Sequence, residues 1–142
     1  MAQTISVDSK TIIIRSESET ELSEIIKYVN QRKKIKNLTK LHEYSQLEEN
    51  WDLEGAKPFA KELINLAWEI ILKVGIQPEV FPTMRESIQL EYEKDNGDYL
   101  EFEIYEDRIE IFEIISENEK EYKISVTDDI NEIVNEFQRR DG

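Results

Sequence analysis

Apolar residues in the first half of the chain recur mainly with the period of an α-helix. A short β-branched run at residues 11–15 predicts one strand before this region begins. The i, i+3, i+4, i+7 spacing then predicts a helix from about Glu21, with Leu22, Ile25, Ile26 and Val29 on one face. The spacing is lost in the basic run 31–36, so we expect a break near Asn37. A second helical stripe follows, formed by Leu38, Leu41, Tyr44 and Leu47.

A loop at residues 48–58 precedes the most apolar segment of the chain. Residues 59–74 are apolar on nearly every side of a helical projection, which predicts a central, buried helix. Gly75 follows directly and is a natural helix terminator. We therefore expect this helix to be the element against which the rest of the fold packs.

From Pro78 onward the apolar period changes from 3.6 to two. Strands are predicted at 79–82, 87–94, 99–105, 108–115 and 121–126, and Asn96-Gly97 marks a hairpin turn. The apolar pairs at 111–112 and 114–115 break strict alternation, which indicates a bulge or a second covered face. Residues 127–129 are expected to cap a last helix.

These segments predict an α+β fold: an antiparallel meander of four to five strands with helices packed on one face. The length of 142 residues fits a single domain, made of an N-terminal strand and helices (11–74), the sheet (79–126) and a C-terminal helix (128–140). The predicted core comprises Ile64, Ala67, Trp68, Ile71, Leu90, Tyr92, Leu100, Phe102, Ile104, Ile109, Ile111, Tyr122, Ile124, Ile133 and Phe137.

Composition narrows the classes of function. The chain has no cysteine, which excludes disulfides and thiolate sites and suits the reducing cytoplasm. No apolar run approaches the roughly 20 residues that a membrane span needs. The net charge of −14 repels nucleic acid and anionic lipid, so we expect neither as a direct partner.

The negative charge is confined to one part of the chain. Residues 51–142 carry 24 acidic and 10 basic side chains, which accounts for the whole net charge of −14. Eight of these carboxylates fall on the predicted strands, and seven more fall in the turns that join them. A sheet face that gathers like charges has a repulsion cost, which is understandable if a basic partner meets the face. A merely solvated face remains an alternative.

No catalytic residues, cofactor or metal are predicted. His42 is the only histidine and falls on a polar helix face, and no glycine-rich loop could hold phosphate. One alternative is a metal-dependent enzyme, because Glu91, Glu93, Glu101 and Glu103 share one face of a hairpin and could converge on Mg²⁺ or Ca²⁺. The string Glu121-Tyr122-Lys123 also matches a short nuclease motif, which charged chains often contain by chance.

The sequence predicts a partner-binding face made of acidic residues and aromatic anchors: Glu91, Glu93, Glu101, Glu103, Glu110, Tyr99, Tyr105 and Trp51. Trp51 has a second interpretation, as a plug at the helix–sheet junction beside a backbone-capping Asp52. The basic segment 27–40 either contacts nucleic acid or another acidic surface, or complements the acidic sheet of the same chain or of a second copy. In the latter case copies of the chain could associate through segments 27–40 and 91–121.

One stretch resembles a known group of proteins. Residues 50–58 include Trp51-Asp52 and Gly55-Ala56, and a helix, Pro78-Glu79-Val80-Phe81-Pro82-Thr83 and Gln89-Leu90-Glu91-Tyr92-Glu93 follow. This order resembles small bacterial and phage-borne proteins of unassigned function, over about residues 45–115. The chain departs from their pattern at 84–86, where they have a Pro-Asp-Gly-Gly-like turn, and at Tyr92, where Trp is commoner. Such proteins are often found among mobile-element, toxin–antitoxin or defence genes, so the resemblance implies that setting.

Together these observations favour a non-enzymatic, cytoplasmic protein-binding module of a bacterial or phage conflict system. It would act as an inhibitor, antitoxin or immunity-like partner of a basic nucleic-acid-processing protein such as a toxin, nuclease or defence effector. An alternative is an anti-defence protein, directed against CRISPR or restriction enzymes, that mimics nucleic acid. Both present carboxylates to a cationic groove, and the sequence does not separate them.

Overall fold

A computed structural model describes residues 2–7, 10–15 and 19–140, the first two ranges by their backbone alone. The chain forms two compact units, residues 1–36 and residues 37–142. The expectation of a single domain stays a prediction.

The first unit contains a hairpin of strands β1 (Ala2–Val7) and β2 (Lys10–Arg15). The strands are antiparallel, with Ala2 opposite Arg15 and Val7 opposite Lys10. Strand β2 contains the run predicted at 11–15, whereas β1 was not predicted from the sequence. The unit also contains the beginning of helix α1 (Glu19–Ser45).

Helix α1 does not break near Asn37, so that prediction is wrong. Asn37 is 1% exposed. Its amide nitrogen donates to Gln77 Oε1 at 3.0 Å and to the Pro78 carbonyl at 2.9 Å. Because this buried polar side chain is paired, it can remain in the middle of the helix without a break.

The second unit contains one five-stranded sheet, and the predicted α+β fold is confirmed. Its strands are β3 (Glu79–Pro82), β4 (Ile88–Glu93), β5 (Tyr99–Ile104), β6 (Ile109–Ile115) and β7 (Asn118–Ile124). They are antiparallel and lie in sequential order. The sheet is an open meander whose two edges are β3 and β7.

The register of β6 shows no bulge, which leaves the other predicted explanation, a second covered face. Ile109 and Ile111 are buried on the face that carries the core, while Phe112 and Ile114 alternate onto the opposite face. Apolar residues on both faces explain the broken alternation in the sequence. Strand β7 begins three residues earlier than predicted, because Ser116 and Glu117, at φ 49° and 69°, close a two-residue turn.

One apolar cluster fills the space between the sheet and the helices of the second unit. Helix α2 (Lys61–Lys73) buries Leu63, Ile64, Ala67 and Ile71, and α3 (Asn131–Arg139) buries Val134 and Phe137. The sheet contributes Val80, Ile88, Leu90, Leu100, Phe102, Ile104, Ile109 and Ile111. The predicted core residues all belong to this cluster, but Trp68, Tyr122, Ile124 and Ile133 are only partly buried at its margin.

The helices differ in detail from the sequence-based predictions. Helix α2 is amphipathic rather than fully enclosed, since Glu62 and Glu69 on its other side are exposed. Helix α3 begins after Ile130 without a side-chain cap, although Asp129 Oδ1 accepts the Asn131 amide at 2.8 Å. No helix in the described ranges is long and apolar enough to cross a membrane.

Candidate protein-binding face

The sheet has a second face, opposite to the one that packs on α2 and α3. We call it the outer face; it carries Gln89, Glu91, Glu93, Tyr99, Glu101, Glu103, Glu110, Phe112, Ile114, Glu119, Glu121 and Lys123. Period two puts Leu90 and Phe102 inward and Glu91 and Glu101 outward, as predicted. Most of the predicted binding residues therefore do share one surface.

A row of directly opposed side chains crosses the middle of the outer face. Glu91 lies opposite Glu101, Glu101 opposite Phe112, and Phe112 opposite Glu121. Side chains paired in this way have Cβ atoms roughly 4.5–5.5 Å apart. The phenyl ring of Phe112 thus stands between two carboxylates.

The like-charged pair Glu91 and Glu101 is held by neutral hydrogen-bond donors. The Gln89 amide nitrogen donates to Glu91 Oε1 at 3.2 Å and also to Glu101 Oε1. The Tyr99 hydroxyl donates to Glu101 Oε1 at 2.7 Å. Burial, and then the hydrogen bond to Glu101, raise the pKa of Tyr99, so this hydroxyl keeps its proton at physiological pH. The donors reduce the repulsion but leave the negative charge in place.

Glu103 and Glu110 are instead neutralised by arginines at one end of the face. Glu103 accepts hydrogen bonds from Arg85 Nε at 2.7 Å and from Ser87 Oγ at 2.6 Å, and its side chain is 14% exposed. Desolvation works to raise the pKa of Glu103, but the hydrogen bonds from Ser87 and Arg85 outweigh it and the pKa is lowered. The Arg108 Nε donates to Glu110 Oε2 at 2.8 Å.

Tyr105 lies at this same neutralised end. Its ring is covered by the Arg108 guanidinium, whose carbon is 3.9 Å from the ring centroid. Desolvation, and next a hydrogen bond to Glu103, raise the pKa of Tyr105. Tyr105 is therefore engaged with an arginine of its own chain, and the outward charge is concentrated around Glu91, Glu101 and Glu121.

Strands β5, β6 and β7 form a depression of about 340 Å³ on the outer face. It is lined by four carboxylates, one lysine and three residues with apolar side chains or rings: Glu101, Glu103, Glu110, Glu121, Lys123, Ile111, Phe112 and Tyr122. We call it the Phe112 depression. Tyr99 extends the apolar surface, because its ring centroid is 6.3 Å from that of Phe112.

Two predicted site residues lie away from this depression. Glu93 is exposed at the end of β4, opposite Tyr99. Trp51 is in the loop between α1 and α2, where its Nε1 donates to the Lys57 carbonyl at 2.9 Å and its ring lies 5.6 Å from that of Phe59. Trp51 packs against the core cluster, in agreement with its interpretation as a plug.

The loop around Trp51 is fixed by its own polar groups. Asp52 Oδ1 accepts the amides of Glu54 and Ala56, both at 2.9 Å. These backbone hydrogen bonds, that from Ala56 first, lower the pKa of the Asp52 carboxyl. Asn50 Oδ1 accepts the amide of Gly55 at 2.7 Å, and Gly55 has a φ of 90° that suits glycine. Asp52 therefore has the backbone-capping role that was weighed for it.

The sequence did not single out Phe112, Ile114, Arg85 or Lys123 as part of the face. The available signal was the apolar pair at 111–112, which a strict period of two through β6 assigns to opposite faces. The role of Arg85 was not recognisable from the sequence, because Arg85 precedes β4 and reaches Glu103 from 18 positions away.

The carboxylates considered for a metal site do not converge. Among the residues that the structure describes, no group of three or more histidine or acidic side chains is arranged to hold an ion. Glu91 and Glu101 are adjacent, but Glu103 is bound by Arg85 and Ser87, and Glu93 faces Tyr99.

Comparison with known proteins gives no match: no protein-family model fits the chain, and no curated protein or solved structure is significantly similar. The resemblance to bacterial and phage-borne proteins stays a prediction.

Proposed function

We propose that this protein is a non-enzymatic binding module that engages a basic surface of a protein partner through its outer face. The observation that carries the proposal is the position of Phe112 between Glu101 and Glu121 in the Phe112 depression. The half-buried phenyl group of Phe112 is surrounded by carboxylates, so the site combines an apolar contact with negative charge.

Such a site suits the side chain of arginine or lysine. The aliphatic stem of either residue can lie on an apolar ring while its charged end reaches a carboxylate, and the ring face itself attracts a cation. Long-range attraction by the remaining acidic residues would speed the encounter, and the contact at Phe112 would slow dissociation. The face thus has both parts of a binding surface.

The pattern of neutralisation favours a protein partner over mimicry of nucleic acid. A phosphate mimic presents a continuous series of negative charges to its target. Here Arg85 and Arg108 pair with Glu103 and Glu110, and Tyr99 and Phe112 interrupt the series. The face is better suited to an irregular protein surface with a few basic side chains.

The cellular role belongs to the same proposal. On the resemblance of residues 45–115, the module acts in the bacterial cytoplasm as an inhibitor, antitoxin or immunity-like partner of a basic nucleic-acid-processing protein. The absence of cysteine is compatible with that compartment. No feature of the outer face favours the anti-defence or metal-enzyme alternative over this role.

The binding property is tested with a hexa-arginine peptide in isothermal titration calorimetry. The double variant Glu91→Lys with Glu101→Lys should weaken binding at least about tenfold, since opposite charges become like charges. The matched control Glu48→Lys with Glu49→Lys makes the same change of charge on the exposed loop before Trp51 and should keep most of the affinity. Equal losses in the two variants would show attraction by net charge alone and refute a specific face.

The cellular role is tested by capturing partners from the native host. A basic nucleic-acid-processing protein should be recovered with the wild-type chain and with the Glu48/Glu49 control, and lost with the Glu91/Glu101 variant. Recovery of the same partner by all three proteins at the same salt concentration would show that the partner binds a surface other than the outer face.

A further inference from the structure

The two edges of the five-stranded sheet are built differently. Strand β3 has four residues, follows Pro78 and ends in Pro82, and proline cannot donate to a neighbouring strand. Strand β7 has seven residues and neither proline nor glycine. In the described part of the chain β7 pairs only with β6, so every second backbone N–H and C=O group is directed away from the sheet.

Charges on β7 alternate in a way that a second copy can complement. Glu121 and Lys123 project from the outer face, and residues 118–121 are all exposed. Charged side chains normally block the pairing of edge strands. Charges of both signs do not block an identical strand that runs in the opposite direction, because an acidic residue can then lie opposite a basic one.

We propose that β7 pairs antiparallel with β7 of a second copy of this chain, about a two-fold axis at Tyr122. In this register Glu121 of each copy lies opposite Lys123 of the other copy, which gives two ion pairs. The two Tyr122 side chains lie opposite each other at the axis. A register centred on Glu121 would instead place that carboxylate against itself, which is unfavourable. The interface is isologous, as expected for a two-fold dimer.

The dimer would join two sheets into one of ten strands, with the two outer faces continuous. Glu121 and Lys123 line the Phe112 depression and also form the seam. The two depressions would therefore lie side by side, and a partner with two basic side chains could occupy both. The dimer itself does not depend on the proposed function. One edge strand buries less area than a standard interface, so we expect a transient dimer with a micromolar dissociation constant.

Cysteine cross-linking tests both the dimer and its register, because the natural chain has no cysteine. With Tyr122→Cys the two thiols meet at the axis, and mild oxidation should give a covalent dimer. With the control Lys120→Cys the two cysteines are offset by four residues along the paired strands, which separates them by about 13 Å. Disulfides do not span Cα separations beyond about 7 Å. Cross-linking of Lys120→Cys as fast as Tyr122→Cys would show random collision and overturn the proposal.

Sedimentation of charge variants provides the second test. Glu121→Lys and Lys123→Glu should each weaken dimerisation about tenfold or more, because two like-charged pairs replace two opposite ones. The double variant carrying both changes should restore it. A wild-type chain that stays at 16.9 kDa up to about millimolar concentration, well above the transient range of small interfaces, would overturn the proposal. So would a dimer that is equally strong in all variants.

If a variant fails to fold, hydrogen exchange of the wild-type chain tests the proposed β7–β7 pairing. Amides on the outer edge of β7 should become more protected as protein concentration rises, while those of β3 should not change. Protection of β7 that is independent of concentration would overturn the proposal.

Discussion

Glu101 and Phe112 are direct cross-strand partners on the outer face of the sheet. An aromatic ring therefore lies beside a carboxylate that already accepts hydrogen bonds from Gln89 and Tyr99. Because these donors are neutral, they fix Glu101 in position without adding a positive charge beside it. Such a preorganised pair reduces the ordering cost that a binding partner would otherwise meet.

Phe112 should matter more for binding than for stability. Phe112→Ala removes a half-buried ring, and we expect the free energy of unfolding to fall by about 1 kcal/mol or less. The same truncation at Phe102, which is 0% exposed, should cost about 3–5 kcal/mol. Urea denaturation measures both, and titration with the hexa-arginine peptide should show weaker binding for Phe112→Ala at unchanged net charge. A loss of stability in Phe112→Ala as large as in Phe102→Ala would contradict this assignment.

Asn37 should be a strong stability determinant in spite of its polarity. Asn37→Ala leaves Gln77 Oε1 and the Pro78 carbonyl without this donor in a buried setting, and we expect a loss of about 1–3 kcal/mol. Asn65→Ala, on the exposed side of α2, is the matched control and should change stability by no more than about 0.5 kcal/mol. Thermal or chemical denaturation distinguishes the two. Similar small effects would mean that the Asn37 hydrogen bonds contribute little.

The ion pair of Glu103 with Arg85 should give stability that disappears in acid. The pKa of Glu103 is lowered in the folded protein, so the folded state favours its ionised form. This contribution is complete above the unfolded carboxyl pKa of about 4.3 and is lost as the pH falls through the lower folded-state value. Glu103→Gln should therefore be less stable than wild type at neutral pH, and the difference should shrink near pH 3.

Arg85→Gln is the companion variant for this pH dependence. It removes the cationic donor but keeps Ser87, and its deficit in unfolding free energy should also be largest at neutral pH. Denaturation curves at several pH values measure this. A deficit that is independent of pH in both variants would show that the pair adds no ionic stabilisation.

The loop around Trp51 should depend on Asp52. Asp52→Ala removes the acceptor for two backbone amides, so the melting temperature of the protein should fall. The tryptophan fluorescence should also show that the Trp51 side chain has become more accessible to solvent. Glu54→Ala, at an exposed position in the same loop, is the control and should leave both unchanged. An unchanged melting temperature in Asp52→Ala would show that the loop conformation does not depend on the hydrogen bonds of Asp52.

The local pattern was sufficient for the sheet but not for its long-range contacts. The alternation of Leu90 with Glu91, and of Glu101 with Phe102, predicts the register because a one-residue slip would bury charge. The same reasoning failed at Asn37, because its partners are 40 and 41 residues away and no local spacing signals them. It also missed Phe112, since two adjacent apolar residues in β6 serve opposite faces.

The candidate site shows the same limit. Charge composition identified the acidic strands, and period two placed Glu91, Glu101 and Tyr99 on a common face. The division of that face into a neutralised end and a negative centre depends on Arg108, which pairs with its near neighbour Glu110, and on Arg85, whose contact with Glu103 is set by tertiary geometry. Trp51 packs against the core, which agrees with its interpretation as a plug and not with that of an exposed anchor, because a large ring gains most by burial.

The proline-bounded edge at β3 limits how far the five-stranded sheet can be extended. A sheet with only one edge strand able to pair can join a single second copy, and the two remaining edges of the dimer are then both β3 strands that cannot pair. Growth then stops at two, and concentrated solutions should not form filaments through this sheet. Replacing Pro82 would restore one backbone donor at this edge, but the Val80 carbonyl would still accept the Tyr44 hydroxyl, so the edge would be opened only in part.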